Sequence, residues 1–197
     1  MIETKIRSNI QPFFDILGKT LVFFKLTPNI ITLIAFLFGI AAGGCIYCAH
    51  LYIALVLLLF SVLFDVLDGT VARLTNNTQK IGAYYDLIAD RMVEAAFIMG
   101  FAFLYPQHYL WYLFFFVALL LHFSTFVVAG TLFPNISSKS IHYDKSLVER
   151  AEAFIAFSSM LLFPQYIHII LGILSTLVLW CSITRFVRVI EYVNNVD

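Results

Sequence analysis

Apolar runs of membrane-crossing length follow one another along this chain, and they constrain its fold more than any other feature. A transmembrane helix needs about 20 mostly apolar residues. Runs that meet this lie near residues 30–49, 51–74, 82–105, 108–133, 146–163 and 166–190. Thr27-Pro28-Asn29 precedes the first and reads as a helix start, with Thr27 as N-cap and Pro28 in the first turn. Composition supports the same reading: 61% of residues are hydrophobic and 12% charged, against about 45–50% and about 25% in an average soluble domain. A soluble core of this size cannot absorb that excess. The balance excludes a soluble globular domain, a disordered chain and a nucleic-acid binder with a basic face.

The placement of the basic residues orders these runs. Lys5, Arg7, Lys19 and Lys25 precede the first run, Arg73 and Lys80 lie between the second and third, and Lys139, Lys145 and Arg150 between the fourth and fifth. Arg185 and Arg188 close the sixth, and Arg91 lies in the near half of the third. The opposite turns, around His50, Tyr105-Pro106-Gln107 and Pro164-Gln165, contain no Lys or Arg. By the positive-inside rule the expectation is an all-α integral membrane protein with six transmembrane helices and both termini cytoplasmic.

Upstream of these runs, Ile2, Ile6, Ile10, Phe13, Phe14, Leu17, Leu21 and Phe24 recur at helical spacing. They predict an amphipathic juxtamembrane helix over 1–26, lying on the cytoplasmic face of the bilayer and bent at Pro12. Asp15, Lys19 and Lys25 interrupt the stretch, so it does not read as a secretory signal. No repeat or linker divides the chain, which is expected to form one domain over 1–197 with its six-helix core at 27–190. The odd count of three cysteines, Cys45, Cys48 and Cys181, all in apolar runs, reads as small buried hydrophobes.

The acids are the exception to this apolar pattern. Asp65 and Asp68 are three apart near the end of the second run, and Asp86 and Asp90 are four apart near the start of the third. Each pair therefore shares a helix face. At ~1.5 Å per residue, Asp68 and Asp65 lie ~9 and ~13 Å in from the end of their helix, Asp86 and Asp90 ~6 and ~12 Å in from the start of theirs. The two helices are antiparallel, so the carboxylates meet as two layers near the cytoplasmic surface. Four carboxylates there ask for a counter-charge. Clustered oxygen ligands suit a hard divalent cation, Mg²⁺ or Mn²⁺. Gly69 and Gly82 flank the cluster and let a ligand or a second backbone come close. Gly39, Gly43 and Gly44 in the first run read as close helix packing. Glu94, one turn beyond Asp90, is open to contact with a metal, but reads first as pairing with Arg91 or with a polar group on another helix.

The motif Asp65-x₂-Asp68-Gly69-x₂-Ala72-Arg73-x₈-Gly82-x₃-Asp86-x₃-Asp90 resembles the complete signature of the CDP-alcohol phosphotransferases. The six runs, the amphipathic N-terminal segment and Thr27-Pro28-Asn29 resemble this family too. The resemblance implies an enzyme that moves the phosphatidyl group of a CDP-linked lipid, usually CDP-diacylglycerol, to the hydroxyl of a small polar alcohol and releases CMP. It implies that Asp65, Asp68 and Asp86 hold two divalent cations, Mg²⁺ or Mn²⁺, with Asp90 completing the cluster and serving as general base. It implies that Gly69, Ala72, Arg73 and Gly82 line the cytidine-diphosphate site, and that the protein is a homodimer. Asn29 is open to two readings, contact with the nucleotide or a metal-bound phosphate at a helix N-terminus, or helix capping alone.

The acceptor is read from the remaining basic residues. Lys145, Arg150, Arg185 and Arg188 gather at the cytoplasmic ends of the fifth and sixth runs. They read either as positive-inside anchors or as a pocket for an anionic acceptor such as inositol phosphate or glycerol 3-phosphate. Glu149-Arg150-Ala151-Glu152 followed by Ala153 resembles the Glu-Arg-x-Glu-Arg stretch of members that use inositol phosphate, with Ala153 in place of the second arginine. Arg150 and Arg188 are the candidate phosphate contacts; serine, phosphatidylglycerol and other alcohols remain alternatives. A divalent-cation transporter is the competing class, since intramembrane acids also mark ion paths. Here, however, the acids sit at one depth. With no organelle-targeting segment visible, the expected location is the cytoplasmic membrane of a prokaryote, with the site facing the cytoplasm.

Overall fold

The computed structural model describes residues 2–132 and 150–196. Among the described residues the secondary structure is helical throughout: α1 (Ile2–Phe23), α2 (Pro28–Tyr47), α3 (Leu51–Leu74), α4 (Lys80–Leu104), α5 (Tyr109–Leu132), α6 (Arg150–Leu162) and α7 (Ile167–Val196). Short 3-10 turns at Pro106–His108 and Pro164–Tyr166 lead into α5 and α7. Four stretches among the described residues are long and apolar enough to cross a membrane: Pro28–Tyr47, Leu51–Leu74, Pro106–Thr131 and Pro164–Asn194. These helices make the chain an integral membrane protein. The expected third span corresponds in position to α4, which carries Asp86, Asp90, Arg91 and Glu94 and is not among those four. Of the expected fifth span, the described part is the 13-residue helix α6; Lys139, Lys145 and Glu149 lie outside the described residues.

The helix boundaries follow from local chemistry. Thr27 caps α2 by accepting the Ile30 N–H at 3.4 Å, and Pro28 opens the helix with its φ already set. The chain leaves α1, α2 and α3 by one device. Lys25, Ala49 and Asn76 adopt φ of 57, 63 and 50°, and the following N–H groups return to carbonyls of the last turn (Leu26 to Leu21, His50 to Cys45, Asn77 to Ala72). This is the left-handed helix end that glycine ordinarily supplies. α1 continues through Pro12. α7 runs past the expected stop at 190 to Val196, because neither Gly nor Pro follows Ile190 to end it.

The chain divides into two compact units, Met1–Gln107 and His108–Asp197. In the first, α2 is the central element. It packs along both α3 and α4, while α3 and α4 make almost no close backbone approach to each other. Contact with α4 rests on small residues: a Cβ at Gly43 would lie 2.7 Å from the Ala96 carbonyl oxygen, and one at Gly100 2.6 Å from that of Gly43. Gly39 faces Val93 equally closely, but Gly44 has open space beside it, so packing accounts for two of the three glycines expected there. α1 lies on α3, with Phe14, Leu17, Leu21 and Val22 against a core of Ile31, Leu67 and Val71.

In the second unit α5 packs on α7 and α6 on α7. Trp111 fills the space left by Gly172. Arg185, 3% exposed, donates to the His122 carbonyl (3.1 Å) and Thr125 Oγ1 (3.3 Å), and its guanidinium lies over Phe126. It thus fastens α7 to α5 and does not belong to an exposed basic group. Cys181 is buried as expected, Cys45 is half-buried and Cys48 exposed; all three are free thiols.

Candidate metal and nucleotide site

The i, i+3 spacing on α3 and the start of α4 bring three carboxylates together. Asp65, Asp68 and Asp86 each offer an oxygen, and all three oxygens lie within 4.8 Å of one another. Asp68 is 8% exposed, while Asp65 and Asp86 are half-buried. Because α2 holds α3 and α4 without pressing them together, the acids occupy the cleft between the two helices. The donor set is all oxygen and anionic, the chemistry a hard divalent cation selects. Asp90 lies one turn further along α4, half-buried and outside this close triplet. Beyond it, Arg91 pairs with Glu94 at 2.7 Å, as the spacing implies.

The start of α2 meets the triplet from the third side. Thr32, also 8% exposed, donates its hydroxyl to Asp68 Oδ2 at 2.5 Å. One turn earlier Asn29 sits where α4 begins, its Oδ1 3.2 Å from where a Cβ of Gly82 would stand. Glycine at 82 is therefore what lets the start of α4 reach Asn29 so closely. On α3, Arg73 is exposed at the helix end and donates Nη2–H to Thr70 Oγ1 at 3.1 Å. Thr70, 1% exposed, is itself anchored on the Val66 carbonyl at 3.0 Å. Gly69 leaves room beside the same guanidinium, 3.4 Å from a notional Cβ to Nη1. Ala72, half-buried, lies between Gly69 and Arg73 on the same turn.

The structure thus brings Asn29, Gly82 and the triplet together, and places Gly69, Ala72 and Arg73 on the turn that follows Asp68. Thr32 and Thr70 were not singled out from the sequence. For Thr32 a signal existed, since it is the one Ser or Thr in α2. Arg150 opens the described part of α6, and Arg188 is exposed on α7, one turn beyond Arg185.

Comparison with known proteins accounts for this pattern. A family model, CDP-alcohol phosphatidyltransferase, matches residues 25–187, and the chain belongs to that family. The archaetidylinositol phosphate synthase of Pyrococcus horikoshii is 33% identical over 99 residues, covering 50% of this chain and 53% of that protein. The match therefore spans about half the length of that relative. The inner membrane protein YnjF of Escherichia coli is 27% identical over 96% of this chain and 94% of its own. Among solved structures, the phosphatidylinositol phosphate synthase of Mycobacterium tuberculosis with CDP-DAG bound superposes with a TM-score of 0.74 at 20% identity, covering 89% of this chain and 92% of that one. The same enzyme in complex with manganese and citrate gives 0.74 at 19% identity, covering 89% and 88%. At these identities the structures establish the shared fold.

Proposed function

We propose that this protein transfers the phosphatidyl group of a CDP-diacylglycerol-type lipid to the hydroxyl of a phosphorylated polyol, releasing CMP, in phospholipid synthesis. The carboxylate triplet, closed between α3 and α4 inside a matched family signature, is the observation that carries this reading. Asp65, Asp68 and Asp86 would hold two divalent cations, Mg²⁺ or Mn²⁺, with Asp90 completing the set. When bound, the cations would neutralise the charge of the pyrophosphate, the main requirement of phosphoryl transfer.

The chain's own residues would then do the rest. Arg73, positioned by Thr70, contacts the phosphates through its planar fork. Gly69, Ala72 and Gly82 leave space for the cytidine diphosphate, and Asn29 meets it at the start of α2. Asp90, one turn further along α4, takes the proton of the acceptor hydroxyl. The acceptor oxygen bonds to the phosphatidyl phosphorus, the bond to CMP breaks, and CMP leaves with its electron pair. Arg150 and Arg188 contact the acceptor's phosphate. Inositol phosphate is the favoured acceptor over glycerol 3-phosphate, supported by the names of relatives from Pyrococcus horikoshii and Mycobacterium tuberculosis. In this reading residues 1–197 form one catalytic domain with six spans, α1 lies along the cytoplasmic face, both termini are cytoplasmic, and the protein works as a homodimer. The site opens to the cytoplasm of a prokaryotic cell, where cytidine nucleotide and polar acceptor are dissolved.

The test is release of CMP by purified protein from CDP-diacylglycerol and inositol phosphate, with and without Mn²⁺. Metal- and acceptor-dependent release supports the reading. CMP release that persists in chelator, or is independent of any acceptor, counts against it.

A further inference from the structure

The Thr32 hydroxyl has two oxygens within reach, the Pro28 carbonyl at 3.1 Å and Asp68 Oδ2 at 2.5 Å. It carries a single proton. The Pro28 carbonyl is a neutral acceptor that the backbone N–H of Thr32 already uses in α2, with one lone pair to spare. The carboxylate is nearer and charged, and a charge-assisted bond is the stronger of the two. The proton therefore goes to Asp68. Both residues are 8% exposed, so water competes little for either. This is a buried contact across 36 residues of sequence, joining α2 to the α3 face that carries Asp65 and Asp68.

We propose that Thr32 is a positioning residue: it fixes the rotamer of Asp68 so that this carboxylate faces Asp65 and Asp86 as a cation ligand. The inference rests on the cation-binding reading above. A carboxylate on a helix rotates about two side-chain bonds, and a ligand set loses affinity when one member must be ordered on binding. Thr32 does that ordering in advance. Its position is itself determined: Thr27 and Pro28 start α2 in register, Ile31 locks against Leu67 and Val71, and the next residue is brought onto Asp68. Outer hydrogen-bond partners of ligating carboxylates change metal affinity by about 10–100-fold when removed.

The experiment titrates Mn²⁺ into purified full-length protein and reads the free Mn²⁺ by electron paramagnetic resonance. Thr32→Val keeps the shape and removes the hydroxyl, Thr32→Ala removes it without a branched replacement, and Thr32→Ser keeps it. Melting temperatures in chelator check that each variant is folded. The expected result is Mn²⁺ affinity weakened about tenfold or more in Val and Ala and restored to within about threefold of wild type in Ser. Val or Ala binding Mn²⁺ as wild type does would overturn the positioning role and leave the cation reading intact. Ser binding as poorly as Val would overturn it too, since the hydroxyl would then not be what matters. Wild-type protein that binds no Mn²⁺ would overturn the cation reading, and with it the role of Thr32.

Discussion

Neutralising one member of the carboxylate triplet gives the sharpest prediction, because its sign reverses with metal. At 4.8 Å and an effective dielectric of about 20, two unit charges repel by about 3.5 kcal/mol. Asp86 enters two of the three pairs, so Asp86→Asn relieves about 7 kcal/mol before solvent screening. Asp65 and Asp86 are only half-buried, and water with mobile ions reduces this to about 1–3 kcal/mol. In chelator the variant should therefore melt above wild type, by roughly 2–12 °C for a chain of this length. Excess Mn²⁺ reverses the order. Wild type gains about 4.1 kcal/mol when free metal stands at about 1,000 times its dissociation constant, more than the variant's lead, and the variant, short of one ligand, gains little. Thermal unfolding of purified protein in detergent, with EDTA and with Mn²⁺, reads both arms. A variant that melts below wild type in EDTA would refute the reasoning: the repulsion within the triplet would then be outweighed by the other interactions of the Asp86 carboxylate.

Other expectations follow from the same geometry. Gly100→Ala should destabilise by about 1–3 kcal/mol, because the added Cβ would lie 2.6 Å from a backbone oxygen that cannot rotate away. Gly44→Ala, with open space beside it, should be neutral or stabilising by up to about 1 kcal/mol; the two melting curves make the comparison. Ala49→Gly should raise the melting temperature, since relieving a left-handed non-glycine residue (φ 63°) is worth about 1 kcal/mol. Arg150→Ala and Arg188→Ala should raise the acceptor KM several-fold while leaving the donor KM near wild type; equal changes in both would count against an acceptor role.

The parts of this molecule legible in the sequence are those encoded by spacing along one helix. α3 runs over Leu51–Leu74 as its hydropathy implies, and the three-residue step from Asp65 to Asp68 places both on one face. The start of α2 was legible because Thr27 and Pro28 each act on the adjacent turn. What the sequence left open depends on how one helix is rotated against another. Nothing in the pattern of α2 tells Gly43, packed on Ala96, from Gly44, which faces open space. Nothing in the i, i+4 step from Asp86 to Asp90 says that the second carboxylate stands outside the close triplet. Arg185 reads as one more basic residue at a membrane boundary, and it is the packing of α5 on α7 that buries it against His122 and Thr125. Thr32 belongs to the same class, since its partner lies on another helix 36 residues away.

The most direct test of the central claim is to identify the lipid that the protein makes. Purified protein would be given CDP-diacylglycerol, Mn²⁺ and a pool of inositol phosphate, glycerol 3-phosphate, inositol, serine and phosphatidylglycerol. Asp90→Asn protein serves as the blank, and lipid products are read by mass spectrometry. The account predicts one new phospholipid, phosphatidylinositol phosphate, formed with an equal amount of CMP and absent from the blank. Folded protein that binds Mn²⁺ yet neither binds nor consumes the CDP-lipid would contradict it.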